Sequence, residues 1–315
     1  MIPDMLLRKV GLKIGHYTDI QNQTGLTVFI AEKGADIGID IRGSSTGTLN
    51  TPAYDPKSSG KIVHAVVLTG GSIFGLESAF GVLEYLEEQG IGNNKLGKAI
   101  PGITGAVIYD LGTGNDRRPS KEAGREAACN SSYDNLQQGN IGVGTGATIG
   151  KWFGGQKMKG GFGIAAKTLA KDIVVAAFVV TNALGNIIVP QKELPASLYA
   201  EMDMNDLKRF SGLMDLASQN TTLAVIATNV RMDKIQLMKV AELAHDGMAR
   251  SIYPVHTNLD GDVIFALSSL EGERLEPSLP DTVLVDLVGL AAADALLEAI
   301  SNSVNAANTL FLTSR

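Results

Sequence analysis

The sequence predicts one layered α/β (α+β) domain over residues 1–315, and three observations carry that expectation. Short apolar runs rich in Val, Ile and Ala alternate with segments of helical periodicity. Hydrophobic residues make up 44% and charged residues 19% of the chain, the balance of a packed globule rather than a disordered one. No internal repeat and no Pro- or Ser-rich linker divides it, and the mixing of strands and helices lacks strict βαβ regularity.

Taken in order, Leu26–Ile30 and Ala35–Ile41 read as strands, and Arg42–Gly60 as polar and turn-rich. Lys61–Leu68 is a strand running through Gly70 and Gly71 into an amphipathic helix. The apolar positions of that helix are Phe74, Leu76, Ala79, Phe80, Leu83 and Leu86. Ala106–Leu111 follows a Pro-Gly turn as a further strand. A glycine-dense stretch, Gly139–Gly163, precedes the apolar strand Ile173–Val180. Residues Pro190–Gln219 are polar, Met-rich and weakly periodic, as in a surface excursion. Leu223–Thr228 is a β run, and Asp233 with Gln236 forms a capping box for a helix through Ala249. Val263–Leu267 is a strand, and Asp281 caps a final helix whose face includes Leu284, Leu287, Val288 and Leu297.

Composition excludes several classes. Lys+Arg 27 against Asp+Glu 33 leaves a net charge of −6, which argues against a nucleic-acid or anionic-membrane binder. A single cysteine, Cys129, excludes internal disulfides and a cysteine-built zinc site. No apolar run is long enough to span a bilayer, and MIPDMLLRKV lacks the h-region of a secretory signal, so a cytoplasmic enzyme is expected.

Glycine is the outlier, at 36 of 315 residues, or about one in nine against a usual level of roughly 7%. Gly144–Lys151 nearly spells a phosphate-binding loop, but Thr145 stands where that spacing needs glycine and Trp152 where it needs Ser or Thr. Gly142-x-Gly144-x-x-Ala147 matches the loose dinucleotide fingerprint without a buried strand before it. A nucleotide-binding protein without hydrolytic activity is thus a weaker alternative, and the glycines read first as close-packing turns. His16, His64, His245 and His256 show no metal-ligand spacing and read as core or surface residues.

Two segments hold the chemistry. Asn220-Thr221-Thr222 opens the run LAVIAT, and His256-Thr257-Asn258-Leu259-Asp260-Gly261-Asp262 leads into VIFAL. On extended backbone, Asp260 and Asp262 at i, i+2 point to one face, where two like charges push one pKa upward. Such a pair beside a hydroxyl can hold and shuttle its proton. Taken singly, each segment has a plainer reading: Asp-Gly-Asp as a hairpin or calcium-like turn, Asn-Thr-Thr as a turn, Asn220-x-Thr222 as a glycosylation sequon.

Together, with GHYTD, TGLTV, VVLTGGSIFGLE, GVGTGATIGK, KGGFG, VVTNALGNI, NTTLAVIATNVRM and PVHTNLDGDVIFAL, they resemble the L-aminopeptidase/D-esterase (DmpA-type) peptidases from about Ile14 to Ser269. The 6-aminohexanoate-oligomer (nylon-oligomer) hydrolases are the most similar branch. The resemblance implies a four-layer α/β/β/α sandwich of the N-terminal-nucleophile-hydrolase type. It implies self-cleavage between Asn220 and Thr221 into chains 1–220 and 221–315, with Thr221 as nucleophile of an amide hydrolase. By the same resemblance Asp260 and Asp262 orient the new amine and the hydroxyl, while Lys151 and Asn182 stabilise charge at the reacting carbonyl. Lys151 stands where the aminopeptidase branch carries Tyr. No metal or organic cofactor is required, the substrate is a small molecule or short peptide, and a homotetramer or larger homo-oligomer is expected. An ornithine-acetyltransferase-like acyl transferase shares the self-cleavage, but its Ala-Thr-Met-Leu-like cleavage string is absent around Asn220.

Overall fold

A computed structural model describes residues 5–95, 97–152, 157–169, 172–188, 220–271, 275 and 278–312. The predicted excursion at 190–219 lies outside these residues. Among the described residues, nine strands make one mixed sheet: β1 (Lys13–Asp19), β2 (Thr24–Ile41), β3 (Thr48–Leu49), β4 (Ile62–Thr69), β5 (Ile103–Val107), β6 (Gly161–Leu169), β7 (Ile173–Asn182), β8 (Thr221–Thr228) and β9 (Val263–Ser269). Helices are α1 (Leu6–Lys9), α2 (Ser78–Glu88), α3 (Lys121–Cys129), α4 (Lys234–Ala249) and α5 (Asp281–Leu312).

The strand order β6-β7-β8-β9-β2-β4-β5-β3, with β1 also on β2, turns on one bent strand. The two runs read separately at 26–30 and 35–41 are one strand, β2, whose register with β4 shifts between Ile30 and Ala35. Its first half pairs with β1 and β4, and its second half with β9. A bulge of this kind bends the strand and lets the sheet fold over on itself.

Side-chain alternation then fills three apolar layers. Phe29, Val66, Leu68, Phe162, Phe178, Leu223, Val225 and Phe265 meet between the two halves of the sheet. Val175, Ala177, Ala224, Ile226 and Ile264 face outward against Leu237 and Val240 of α4 and Val288, Ala292 and Leu296 of α5. On the opposite side Val28, Ala65 and Val67 meet Ala79, Val82 and Leu86 of α2 and Ala127 of α3. The result is the expected α/β/β/α sandwich, and each phenylalanine buried in its centre contributes about 2–3 kcal/mol.

Helix α4 starts as predicted. The Asp233 carboxylate accepts from Ile235 N and Gln236 N, and the Gln236 side chain accepts from Asp233 N. Two readings shift. The helix after Gly71 opens with a 3₁₀ turn, Ser72–Glu77, whose three-residue period departs from that of the helix. Phe74 and Phe80 are 55% and 57% exposed, while Ala79 and Leu86 are buried as expected and Val82 is buried with them. On the last helix Leu287 faces outward while Leu284 and Val288 are buried.

The glycine loop Gly142–Thr145 is a buried 3₁₀ turn. Its amides at 142 and 143 are taken by the Thr18 and Thr27 hydroxyls. Gly142 has φ +52, and a Cβ there would fall 2.3 Å from Thr27 Oγ1, so this glycine serves close packing.

Candidate active site

Strand β8 is buried over all eight residues because it has sheet neighbours on both edges and packed layers on both faces. Leu223, Val225 and Ala227 point between the two halves of the sheet, so the two-residue alternation sends the Thr221 side chain the same way. Along β7, Val174, Ala176, Phe178 and Val180 share that face, and so does Asn182 two residues on. The antiparallel register pairs Asn182 with Thr221. On the other edge Asn220 bridges to Asp260 just before β8 and β9 begin their parallel pairing. Asn220, Thr221, Asn182, Asp260 and Asp262 thus meet at one end of the central strands, all of them buried.

The Asn220–Thr221 junction is closely held. Gly261 N donates to the Asn220 carbonyl oxygen at 2.9 Å. The Thr221 hydroxyl donates to the same oxygen at 2.5 Å. A side chain on residue 261 would place its Cβ 2.7 Å from Thr221 Oγ1 and 2.7 Å from Ser45 O, so only glycine fits between them. A cavity of about 140 Å³ opens at Thr221, lined by Ser45, Thr46, Gly47, Ser72, Ile73, Val107 and Tyr109.

The carboxylates flank the junction and do not take the Thr221 hydroxyl. Asp262 Oδ1 accepts from Thr222 N at 2.7 Å, and its Oδ2 accepts from His256 N at 3.2 Å and lies 2.7 Å from His256 Nδ1. Asp260 Oδ2 accepts from the Thr257 amide at 3.0 Å and hydroxyl at 2.7 Å, and its Oδ1 from Leu184 N at 3.4 Å. Burial, then the negative charge of Asp262, raises the Asp260 carboxyl from 3.8 to about 6.

Lys151 follows the short strand Thr148–Ile149, and its backbone N donates to Leu184 O at 2.9 Å. Its ammonium donates to Asn182 O at 3.1 Å and Asn182 Oδ1 at 3.2 Å. Burial, then the nearby charge of Lys157, lowers its pKa from 10.5 to about 7, against the opposing pull of Asp260. Asn182 Oδ1 also accepts from Thr148 N, which turns Nδ2 toward Tyr109 O at 3.3 Å, on the cavity side. All five residues named from the sequence, with Asn220, therefore lie in one place.

Three contributors went unnoticed in the sequence. Gly261 is hidden inside Asp-Gly-Asp because its importance lies in a backbone N–H. His256 pairs with Asp262 from a left-handed backbone, φ +56, which no local sequence pattern announces. Asp110 accepts from Gly71 N at 2.7 Å and the Thr24 hydroxyl at 2.8 Å, and so pins Ser72 and Tyr109 at the cavity wall. Burial raises its carboxyl to about 6. No sequence motif marks it.

What this constellation does is informed by likeness to known proteins. The family model for peptidase family S58 matches residues 9–314. An uncharacterized aminopeptidase of Mycobacterium leprae is 36% identical, over 95% of this chain and 90% of its own length. The 6-aminohexanoate-oligomer endohydrolase of Paenarthrobacter ureafaciens is 32% identical, over 92% of this chain and 84% of its own length. Among solved structures, the L-aminopeptidase D-Ala-esterase/amidase of Ochrobactrum anthropi superposes with a TM-score of 0.69 at 20% identity, covering 94% of this chain and 84% of its own. It is described as a variant of the Ntn hydrolase fold. A β-aminopeptidase of Burkholderia sp. gives 0.65 at 18% identity, over 95% and 87%. These two establish the fold. With the family match, the two sets of relatives and the shared fold, the chain belongs to peptidase family S58 and is an amide hydrolase.

Proposed function

We propose that the chain cleaves itself between Asn220 and Thr221 and then uses Thr221 as an N-terminal nucleophile. The observation that carries this reading is the pair of hydrogen bonds on the Asn220 carbonyl, from Gly261 N and from the Thr221 hydroxyl itself. Attack of Thr221 Oγ1 on the Asn220 carbonyl carbon places negative charge on an oxygen that already has a backbone N–H donor. Collapse breaks the C–N bond and leaves an ester to Oγ1, with the hydroxyl proton passed to the threonine nitrogen. Water then hydrolyses the ester, giving the Asn220 carboxylate and a free Thr221 with both amine and hydroxyl. The two pieces stay together because β8 is paired on both edges.

Mature Thr221 carries an α-amine of pKa about 7.7–8.0, a proton acceptor at neutral pH for a hydroxyl that ionises far above it. Asp260 and Asp262 stand beside residues 220 and 222 and orient that amine. In turnover the hydroxyl attacks a substrate amide, the amine product leaves with a proton, and water releases the acid from the acyl-threonine. Lys151 and the Nδ2 of Asn182 supply positive charge and an N–H at the reacting carbonyl.

The cavity, with hydroxyls at Ser45, Thr46 and Ser72 and alkyl surface at Ile73 and Val107, suits a short acyl unit without bulky branching. Short peptides, amino-acid amides and ω-amino-acid oligomers are the substrate class, in keeping with the names of the relatives. Ile73 at its wall and Phe74 and Phe80 further along the same segment are exposed, and such apolar surface suits contact with a like chain in a cytoplasmic homo-oligomer. The test is acid quenching during turnover of a 6-aminohexanoate dimer or an amino-acid amide. An acyl adduct on the 221–315 piece supports the reading. Turnover with no adduct on that piece at any quench time contradicts it.

A further inference from the structure

Next to Asp262 lies a line of largely buried polar side chains that the proposed chemistry leaves without a role. His256 Nδ1 is 2.7 Å from Asp262 Oδ2. His245 of α4 packs its ring edge-on to His256, centroids 4.7 Å apart and planes at 78°. His245 Nε2 in turn lies 3.3 Å from the Asp40 carbonyl oxygen. Nε2 of His256 and Nδ1 of His245 are both buried without a hydrogen-bond partner among the described residues. The line is therefore not a continuous path for a proton, because no hydrogen bond joins the two rings. It is a mechanical support.

The tautomer follows from the acceptors. A carboxylate oxygen accepts only, so the hydrogen of the His256–Asp262 bond is on His256 Nδ1. His245 donates from Nε2 to the Asp40 carbonyl, and burial holds it neutral, with its pKa lowered to about 3. Asp262 then accepts three hydrogen bonds, from Thr222 N, His256 N and His256 Nδ1. Two donors on Oδ2 fix the rotation of the carboxyl group, and that rotation keeps Oδ1 on Thr222 N, one residue from the nucleophile. His256 pays for this placement with φ +56, a region most side chains avoid and one that persists where surroundings demand it.

We infer that His256 is a positioning residue for Asp262, locking the carboxylate that orients Thr221 through the Nδ1–H bond. The inference rests on the reading of Thr221 as nucleophile. Displacing a group at the reacting centre by about 1 Å costs on the order of a hundredfold in rate.

The test compares two substitutions that both tolerate positive φ. His256→Gly removes the ring and keeps the backbone N–H, while His256→Asn places an amide N–H near the position of Nδ1. The expected result is a loss of about tenfold to a hundredfold in self-cleavage rate and kcat for His256→Gly, with KM within about threefold, and recovery of most of that loss in His256→Asn. Equal rates in the two variants, whether both impaired or both normal, overturn the inference. ¹⁵N NMR of the four histidines in the unsubstituted protein gives a second reading that needs no variant: His256 is expected as the Nδ1–H tautomer, and an Nε2–H tautomer overturns the inference. A Thr221→Ala control separates the two levels. If it still cleaves and turns over, the nucleophile and this inference fall together. If it is inert while His256→Gly behaves as wild type, the positioning role alone fails.

Discussion

Gly261 donates its backbone N–H to the carbonyl oxygen of Asn220 across 2.9 Å, and that oxygen is where negative charge collects in the proposed self-cleavage. The donor is fixed by the sheet, since Asn220 bridges to Asp260 and β8 runs parallel to β9 directly after it. A group held in place before the reaction needs no reorganisation during it.

Gly261→Ala tests this placement. Its Cβ would stand 2.7 Å from both Thr221 Oγ1 and Ser45 O, so the N–H and the hydroxyl must move apart. Self-cleavage is expected to slow by about a hundredfold or more, with the far-UV circular dichroism of the wild type retained. Normal cleavage in this variant would remove Gly261 from the chemistry.

Asp260 gives a prediction about stability. Its carboxyl titrates at about 6 in the fold against 3.8 otherwise, so the folded chain holds that proton the more tightly. This contribution to stability is complete below about pH 3.8 and is lost as the pH rises through about 6. At pH 8 the buried charge costs on the order of 2–3 kcal/mol. In a Thr221→Ala background, Asp260→Asn is expected to melt higher than its parent at pH 8, with the gap closing near pH 4. A gap that stays constant with pH would contradict the buried, charge-coupled setting of Asp260.

Lys151 gives a prediction about rate. Burial brings its pKa to about 7, so the ammonium loses its charge as the pH rises through that value. Its proposed place is at the carbonyl attacked in turnover, so kcat of the mature protein, measured between about pH 5.5 and about pH 9, is expected to decline above about 7. Lys151→Arg, charged throughout, is expected to move that decline upward. A decline at the same pH in both proteins would assign it to another group.

Much of this arrangement was legible in the residues. Strands β7, β8 and β9 announce themselves as dense runs of Val, Ile and Ala, because both faces of each are covered. The Asp233–Gln236 capping box fixed the start of α4. The run predicted at Ala106–Leu111 begins earlier, at Ile103, and ends at Val107, where the chain turns off the sheet to carry Tyr109 and Asp110 to the site. Periodicity cannot show that departure. The exposure of Phe74 was equally hidden, since it lies in a 3₁₀ turn, Ser72–Glu77, whose three-residue period departs from that of the helix. His256 and Asp110 act through contacts set by a left-handed backbone and by residues such as Thr24, 86 positions away. Neither leaves a local pattern.

The central claim is that Thr221 becomes the first residue of a second chain, and the intact mass of the purified protein tests it most directly. Cleavage at this bond gives pieces of 220 and 95 residues, about 23 and 10 kDa in proportion to the 33.1 kDa whole, the smaller beginning Thr-Thr-Leu-Ala. The account predicts those two masses for the wild type and one uncleaved, inactive chain for Thr221→Ala. An active wild type that remains a single chain, or a Thr221→Ala protein that still yields both pieces, would contradict it.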